Sequence, residues 1–335
     1  MFSERNGMRN PVASYLRLIC WLSAAAAYAT AADAELMKMV MPDAEIVIGI
    51  NADRLKTGPF GQFVMSEIDK GGKAGDLEEF IEMTGLDPRR DVKEIVMAAR
   101  NTSAAVEGKD NARKAAALGG LVILRGFFDE AKIRRLATSG NGFSTGSHQG
   151  VTLLSKDKSD EAAALMNGSV LVFGHKKEVE AAIDRYQSAE AAALPIGPAA
   201  EQASGNHDIW IAGMVSPAML AGGINDPNAG GALAGNLMKS VRSFAGGVRF
   251  GEAVEVGGEL WMESEKDARA LVDAMRFLAG MAQGNGGLQN AMGGLLNSLQ
   301  FSASGVSVRF SMRASPSELE KIFRSGTHKK VADLL

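Results

Sequence analysis

The chain has 335 residues, 46% hydrophobic and 22% charged, with 36 Lys+Arg against 39 Asp+Glu and a net charge of −3. That composition excludes wholesale disorder and a collagen-like chain, and the balanced charge leaves no electrostatic footprint for nucleic acid. The single cysteine, Cys20, excludes an intramolecular disulfide and a cysteine zinc site. Arg5, Arg9 and Arg17 open the chain, Leu18 to Ala32 is uncharged and mostly apolar, and the small-residue triplet Ala32-Asp33-Ala34 follows. Residues 1–34 therefore read as a secretory signal peptide cleaved after Ala34. Fifteen apolar residues fall short of the about 20 that a helical span needs, which favours a cleaved signal over a retained anchor. Ile19 stands before Cys20 where a lipoprotein signal carries a small residue.

Beyond the signal, Ile46 to Ile50 is expected as a strand, and 59–69 and 76–84 as amphipathic helices. Val92 to Ala99 is a strand, 101–118 a polar, alanine-rich loop, and Leu121 to Leu124 a strand. Asp129 caps a helix to 138; strands at 143–146, 151–155 and 170–173 precede a helix at 175–187. Residues 189–206, alanine-rich with Pro195 and Pro198, read as a linker. The second half begins with a strand from Ile209 to Met214 and a short helix opened by Ser216-Pro217. Strands at 243–251 and 254–263 joined by a tight turn, a helix at 265–282, the end of a short helix at Leu295 to Leu299 and a strand pair at 299–303 and 306–312 follow. Ser315-Pro316-Ser317-Glu318 opens the last helix as a capping box. The glycine-rich stretches 221–236 and 284–294 are expected as mobile loops near a binding edge.

Each half thus reads as β, helices, β, β, α, β, β, α. The expected fold is α+β: two similar halves, each a mostly antiparallel sheet covered by helices on one face, from duplication of one unit. The expected division is signal 1–34, first domain 35–188, linker 189–206, second domain 207–325 and a basic then apolar tail 326–335. Val306, Val308 and Phe310 alternate with Ser307, Arg309 and Ser311, as in a sheet with one wet face.

Several motifs suggest chemistry. Gly142-Phe143-Ser144-Thr145-Gly146 matches the nucleophile elbow, with His148 close by, but the elbow needs a strand before and a helix after. Here that order is inverted, so a flexible turn is expected. Ser155-Lys156-Asp157-Lys158 and Lys56-Thr57-Gly58 match penicillin-binding motifs in reversed order. Met37, Met39 and Met41 would place three thioethers on one side of a strand, a candidate Cu(I) site, against the alternative of gap-filling core residues. The four histidines, His148, His175, His207 and His328, show no metal-site spacing. His175 with Lys176 and Lys177 opens a helix where an anion would dock, and Lys132, Arg134 and Arg135 form a basic helix face; solvated surface is the expected reading of both. Phosphate loops and dinucleotide fingerprints are absent from the sequence, and no cofactor is expected.

Pro42-Asp43-Ala44, the turn Thr84-Gly85-Leu86-Asp87-Pro88-Arg89-Arg90-Asp91-Val92, the segment Leu121 to Ile133 and the segment Leu295 to Leu319 together resemble a group of bacterial exported proteins of unknown function. The resemblance covers most of the chain after the signal and rests on packing and turn residues. It implies an exported α+β protein and carries over no catalytic residue.

The resulting expectation is a non-enzymatic, periplasmic or secreted binding or protein-interaction module of the cell envelope, without nucleic acid and without a membrane span after cleavage. The alternatives are a carrier of a hydrophobic small molecule in a pocket between the two sheets, and a hydrolase without a sequence-readable motif. A polar cleft with poised acids, an apolar cavity and an exposed apolar patch would separate the three.

Overall fold

The computed structural model describes residues 34–59, 61–63, 87–100, 120–138, 143–190, 193–215 and 237–324. The signal segment, most of the expected helices at 59–69 and 76–84, the loops at 101–118 and 221–236, and the tail lie outside these residues. The described helices are α1 (Ala34–Met39), α2 (Ala52–Thr57), α3 (Pro88–Asp91), α4 (Glu130–Thr138), α5 (Lys176–Gln187), α6 (Gly197–Asn206), α7 (Glu265–Gly284), α8 (Gly286–Ser298) and α9 (Pro316–Arg324). The strands are β1 (Ile46–Asn51), β2 (Val92–Ala99), β3 (Leu121–Gly126), β4 (Phe143–His148), β5 (Val151–Lys156), β6 (Glu161–Met166), β7 (Val170–His175), β8 (Ile209–Met214), β9 (Val241–Phe250), β10 (Val254–Met262), β11 (Gln300–Ser304) and β12 (Ser307–Ala314).

All twelve strands form one sheet, ordered β11-β12-β10-β9-β8-β1-β2-β3-β7-β6-β5-β4. Every neighbouring pair is antiparallel. The chain is α+β, but the two sheets expected from the sequence are one, joined where β1 pairs β8 with Ile46 opposite Gly213 and Gly49 opposite Trp210. A pocket between two sheets, the place expected for a hydrophobic ligand, therefore has no counterpart in the described residues.

Helices cover both faces of this sheet rather than one. The reason is visible in Val122-Ile123-Leu124 and Val170-Leu171-Val172-Phe173, which are apolar on both sides of the pleat and need two covers. On one face, Val47, Val96, Ala98, Leu121, Ile123, Val172 and Ala212 pack with residues of α1, α5 and α6 in the largest core. On the other, Ile95, Leu124, Leu165 and Leu171 meet Ile133 of α4, while Val308, Met262 and Val241 meet Ala268, Leu271 and Val272 of α7.

Two stretches differ from their expected form. Residues 197–206, inside the expected linker, are helix α6, with Pro198 in the first turn, where its missing N–H costs nothing. Ile196, Ala200 and Ala203 are buried under it. Residues 286–298, mostly within the expected loop 284–294, are helix α8 despite four glycines. Its end is tied down: Gln283 Nε2 donates to the Leu296 carbonyl at 2.9 Å, and the Arg313 amide donates to Ser298 Oγ at 2.9 Å.

Candidate functional site

Strand alternation puts Glu255, Gly257 and Glu259 of β10 on the same face as the Val47 and Ile123 core. Register places Arg313, Ser311 and Arg309 of β12 directly opposite them, and Gln300 and Ser302 of β11 opposite Ser311 and Arg309. α6 covers this face over β8 and ends at His207, beside β9. Beyond it, β10, β12 and β11 carry polar side chains and, among the described residues, no helix lies over them.

The result is a cleft in two adjoining lobes of about 440 Å³ each, which share Asn206, His207, Gly257, Gln300 and Ser311. Its floor includes Gly246, Gly257 and Gly258, part of a block in which Gly246 pairs Gly258 and Gly247 pairs Gly257. The bareness of Gly247 admits the helix end: a Cβ there would stand 2.2 Å from the Ile209 carbonyl and 2.8 Å from His207 Cβ. His207 donates from Nδ1 to the Ala203 carbonyl at 2.9 Å, which fixes the ring. Its Nε2 lies 3.7 Å from where a Cβ on Gly257 would be.

In the first lobe Glu259, with a side chain 7% exposed, accepts from Gln202 Nε2 at 2.6 Å, from Arg309 Nε at 3.2 Å and from Ser307 Oγ. Burial pushes its carboxyl up, but the hydrogen bonds from Arg309, Ser307 and Gln202 outweigh that and hold it below the ordinary glutamate range. The Arg309 side chain is 61% exposed. In the second lobe Glu255 accepts from Arg249 at 2.9 Å and from Arg313 at 2.5 Å. Beside the cleft the buried Asp208 accepts from the Phe250 amide at 2.7 Å and faces Arg54 at 3.6 Å.

This arrangement offers fixed donors and acceptors over an open backbone. It suits recognition of a polar ligand better than proton transfer, because the Glu259 carboxyl, held below its usual range by its hydrogen bonds, is a poor base for Ser307.

The residues singled out from sequence lie elsewhere. Met37 and Met39 belong to α1, not to a strand, so neighbours two apart point about 200° away from each other and cannot share a side. Met39 and Met41 are fully buried in the core, and α1 is clamped by Arg185, which donates to the Met39 carbonyl at 2.7 Å. The three sulfurs are therefore core filling rather than a copper site. His148 Nε2 meets Asp184 Oδ1 at 2.7 Å, but Ser144 sits four residues along the same strand, about 13 Å away by strand rise, so no serine triad forms there. Lys56 donates to the Val92 carbonyl at the start of β2, whereas Ser155 is in β5, four strands or about 19 Å distant. Lys176 and Lys177 are exposed, and Lys132 pairs Asp129 at 3.8 Å.

Glu259, Arg309, Gln202 and His207 were not singled out by motif. A signal did exist: Glu255 and Glu259 four apart on one strand, Arg309 and Arg313 four apart on another, and Gly-Gly pairs at 246–247 and 257–258.

No family model matches the chain, and no curated protein matches it. Among solved structures it is similar to three crystal forms of a protein designated TP0453. Form III aligns at 10% identity and a TM-score of 0.48, covering 86% of this chain and 97% of that one. Form I gives 9% and 0.46, covering 88% and 98%, and form IV 9% and 0.47, covering 85% and 95%.

Proposed function

We propose that the protein is an exported, non-enzymatic binding module of the bacterial cell envelope, and that the cleft over β10, β12 and β11 holds its ligand or partner. The observation that carries this reading is a preformed polar surface, with Glu259 and Arg309 fixed at its centre, on the stretch of that face which α6 leaves open. Ligand sites typically combine such a few fixed polar groups with a concave floor. Export follows from the signal-like first 34 residues.

The test is native mass spectrometry of the chain purified from the envelope fraction of its source, beside the variant Gly257→Leu. Gly257 has no atom within 3.4 Å of a Cβ, so leucine there projects into the cleft and leaves the scaffold alone. An added mass on the native protein that Gly257→Leu lacks is the expected result. The same added mass on both proteins, or none on either, overturns the assignment of the cleft. A chain that retains residues 1–34 overturns cleaved export.

The order of strands also supports descent from one duplicated unit. Moving outward from the β1–β8 pair, β2 and β9, β3 and β10, β7 and β12, and β6 and β11 hold equal positions, with β5 and β4 extending one arm. Homologues carrying a single unit that dimerises through its first strand are the expected intermediates. Homologues whose halves differ in strand order would count against the idea.

A further inference from the structure

Charge stops abruptly in the second half. Arg276 is followed by 32 residues, Phe277 to Val308, without a single Asp, Glu, Lys or Arg, where a chain that is 22% charged would carry about seven. This run includes the last eight residues of α7 and all of α8. Along α7, Glu265, Lys266, Asp267, Arg269, Asp273 and Arg276 occupy the first twelve positions, and the remaining two turns, about 12 Å of helix, carry none.

Those last turns expose large apolar side chains: Phe277 is 68% exposed, Met281 60% and Leu278 39%. Phe277 and Met281 stand one above the other at i and i+4. Between and beyond them Gly280, Gly284 and Gly286 face open space. The other strongly exposed phenylalanine, Phe127, is different: it stands alone and carries Lys93 Nζ 4.2 Å from its ring centre.

We propose that the end of α7 docks on a lipid bilayer, with Phe277, Leu278 and Met281 inserted into the headgroup and acyl boundary. Three observations select a bilayer over a protein. The exposed side chains project rather than line a groove, so they suit a soft phase more than a shaped partner. Their exposed apolar area is roughly 300 Å², well below the about 800 Å² per partner of a specific protein interface. Polarity changes along the helix axis, with Arg276 directly before Phe277 and Arg269 about two turns above it, each paired with a carboxylate of α7, near the depth where anionic headgroups would lie. Among the described residues no helix is long and apolar enough to cross a membrane; the contact proposed is a shallow, interfacial one.

The experiment is flotation of the chain from residue 35 onward with mixed phosphatidylethanolamine–phosphatidylglycerol vesicles. The wild-type chain floats with the vesicles. The double variant Phe277→Asp with Met281→Asp loses at least about tenfold in partitioning, since each side chain no longer leaves water for the apolar phase. A second variant, Phe277→Trp, reports insertion directly through a blue shift of its emission on adding vesicles, and guards against a misfolded double variant. Failure of the wild-type chain to float, flotation of the double variant equal to wild type, or no shift at Trp would each overturn the proposal. So would a vesicle-free dimer that the double variant dissolves, because the patch would then be a contact between copies.

Discussion

The two arms of the sheet treat the same face in opposite ways. In the arm built from β2, β3, β7 and β6 that face carries Val96, Ala98, Leu121, Ile123, Val172 and Ala164, all buried, with α1 and α5 packed over it. In the arm built from β10, β12 and β11 it carries Glu255, Glu259, Arg309, Ser311 and Arg313 around a glycine floor, and among the described residues no helix lies over it beyond α6. One arm runs β9-β10-β12-β11 outward from the centre and the other β2-β3-β7-β6, extended by β5 and β4. The difference lies in whether a helix covers the face, and the side chains follow from that: a covered face must be apolar or fully paired, whereas an open one is available for binding.

The largest test of this contrast is a charge placed under the covered arm. Ile123→Asp buries an unpaired carboxylate at a fully buried site, and a loss of more than about 4 kcal/mol is expected, read as a fall in the urea midpoint or no folded protein at all. If the variant folds normally, the covered arm is not the core. A smaller effect comes from Gly247→Ala, whose Cβ has no room between Ile209 and His207. About 1–3 kcal/mol should be lost as the end of α6 lifts away. Gly257→Ala, on the same floor with its nearest neighbour at 3.5 Å, should stay within about 0.5 kcal/mol. Equal losses at the two glycines would show that the floor does not seat the helix end.

Glu259 gives a pH test. Its carboxyl lies below the ordinary value of 4.5, so its stabilisation is complete above that pH and is lost as pH falls through the folded-state value. Glu259→Gln should therefore cost about 1–3 kcal/mol at neutral pH and progressively less in acid, where the two stability curves converge. Curves that stay parallel to low pH would mean that Glu259 and Arg309 do not act as a pair. A small effect is also expected of Arg313→Gln, an exposed partner of Glu255, at under about 1 kcal/mol and shrinking further with salt.

Much of the fold was legible where strands alternate or end in clear turns. β8, β10 and β12 lie within two residues of their expected limits, and Gln149 and Gly150, both at positive φ, form the turn between β4 and β5. The failures share a cause. β6 reads Glu-Ala-Ala-Ala-Leu-Met, which has no strand signature because small alanines face neighbours on both sides. α6 and α8, rich in alanine and glycine, read as linker and loop because intrinsic propensity speaks against glycine while tertiary packing holds it. The cleft was illegible for a different reason. Its residues come from α6, β9, β10, β11 and β12, and only the pairing of β10 with β12 sets Glu259 against Arg309. Periodicity reveals which face a residue takes, not which strand will lie beside it.

The seam between β1 and β8 has a consequence for how the molecule is made. β1 finds its partner β2 early, but its other edge stays bare until Ile209–Met214 arrives about 160 residues later in the chain. During synthesis a row of unsatisfied amides and carbonyls on Ile46–Asn51 waits in the middle of what will become the sheet, flanked by isoleucine and valine. The centre of the sheet thus closes only after the whole arm from β2 to β7 has been made. An incomplete chain ending before β8 would be a sticky species, whose most exposed strand is the one the finished protein keeps most protected.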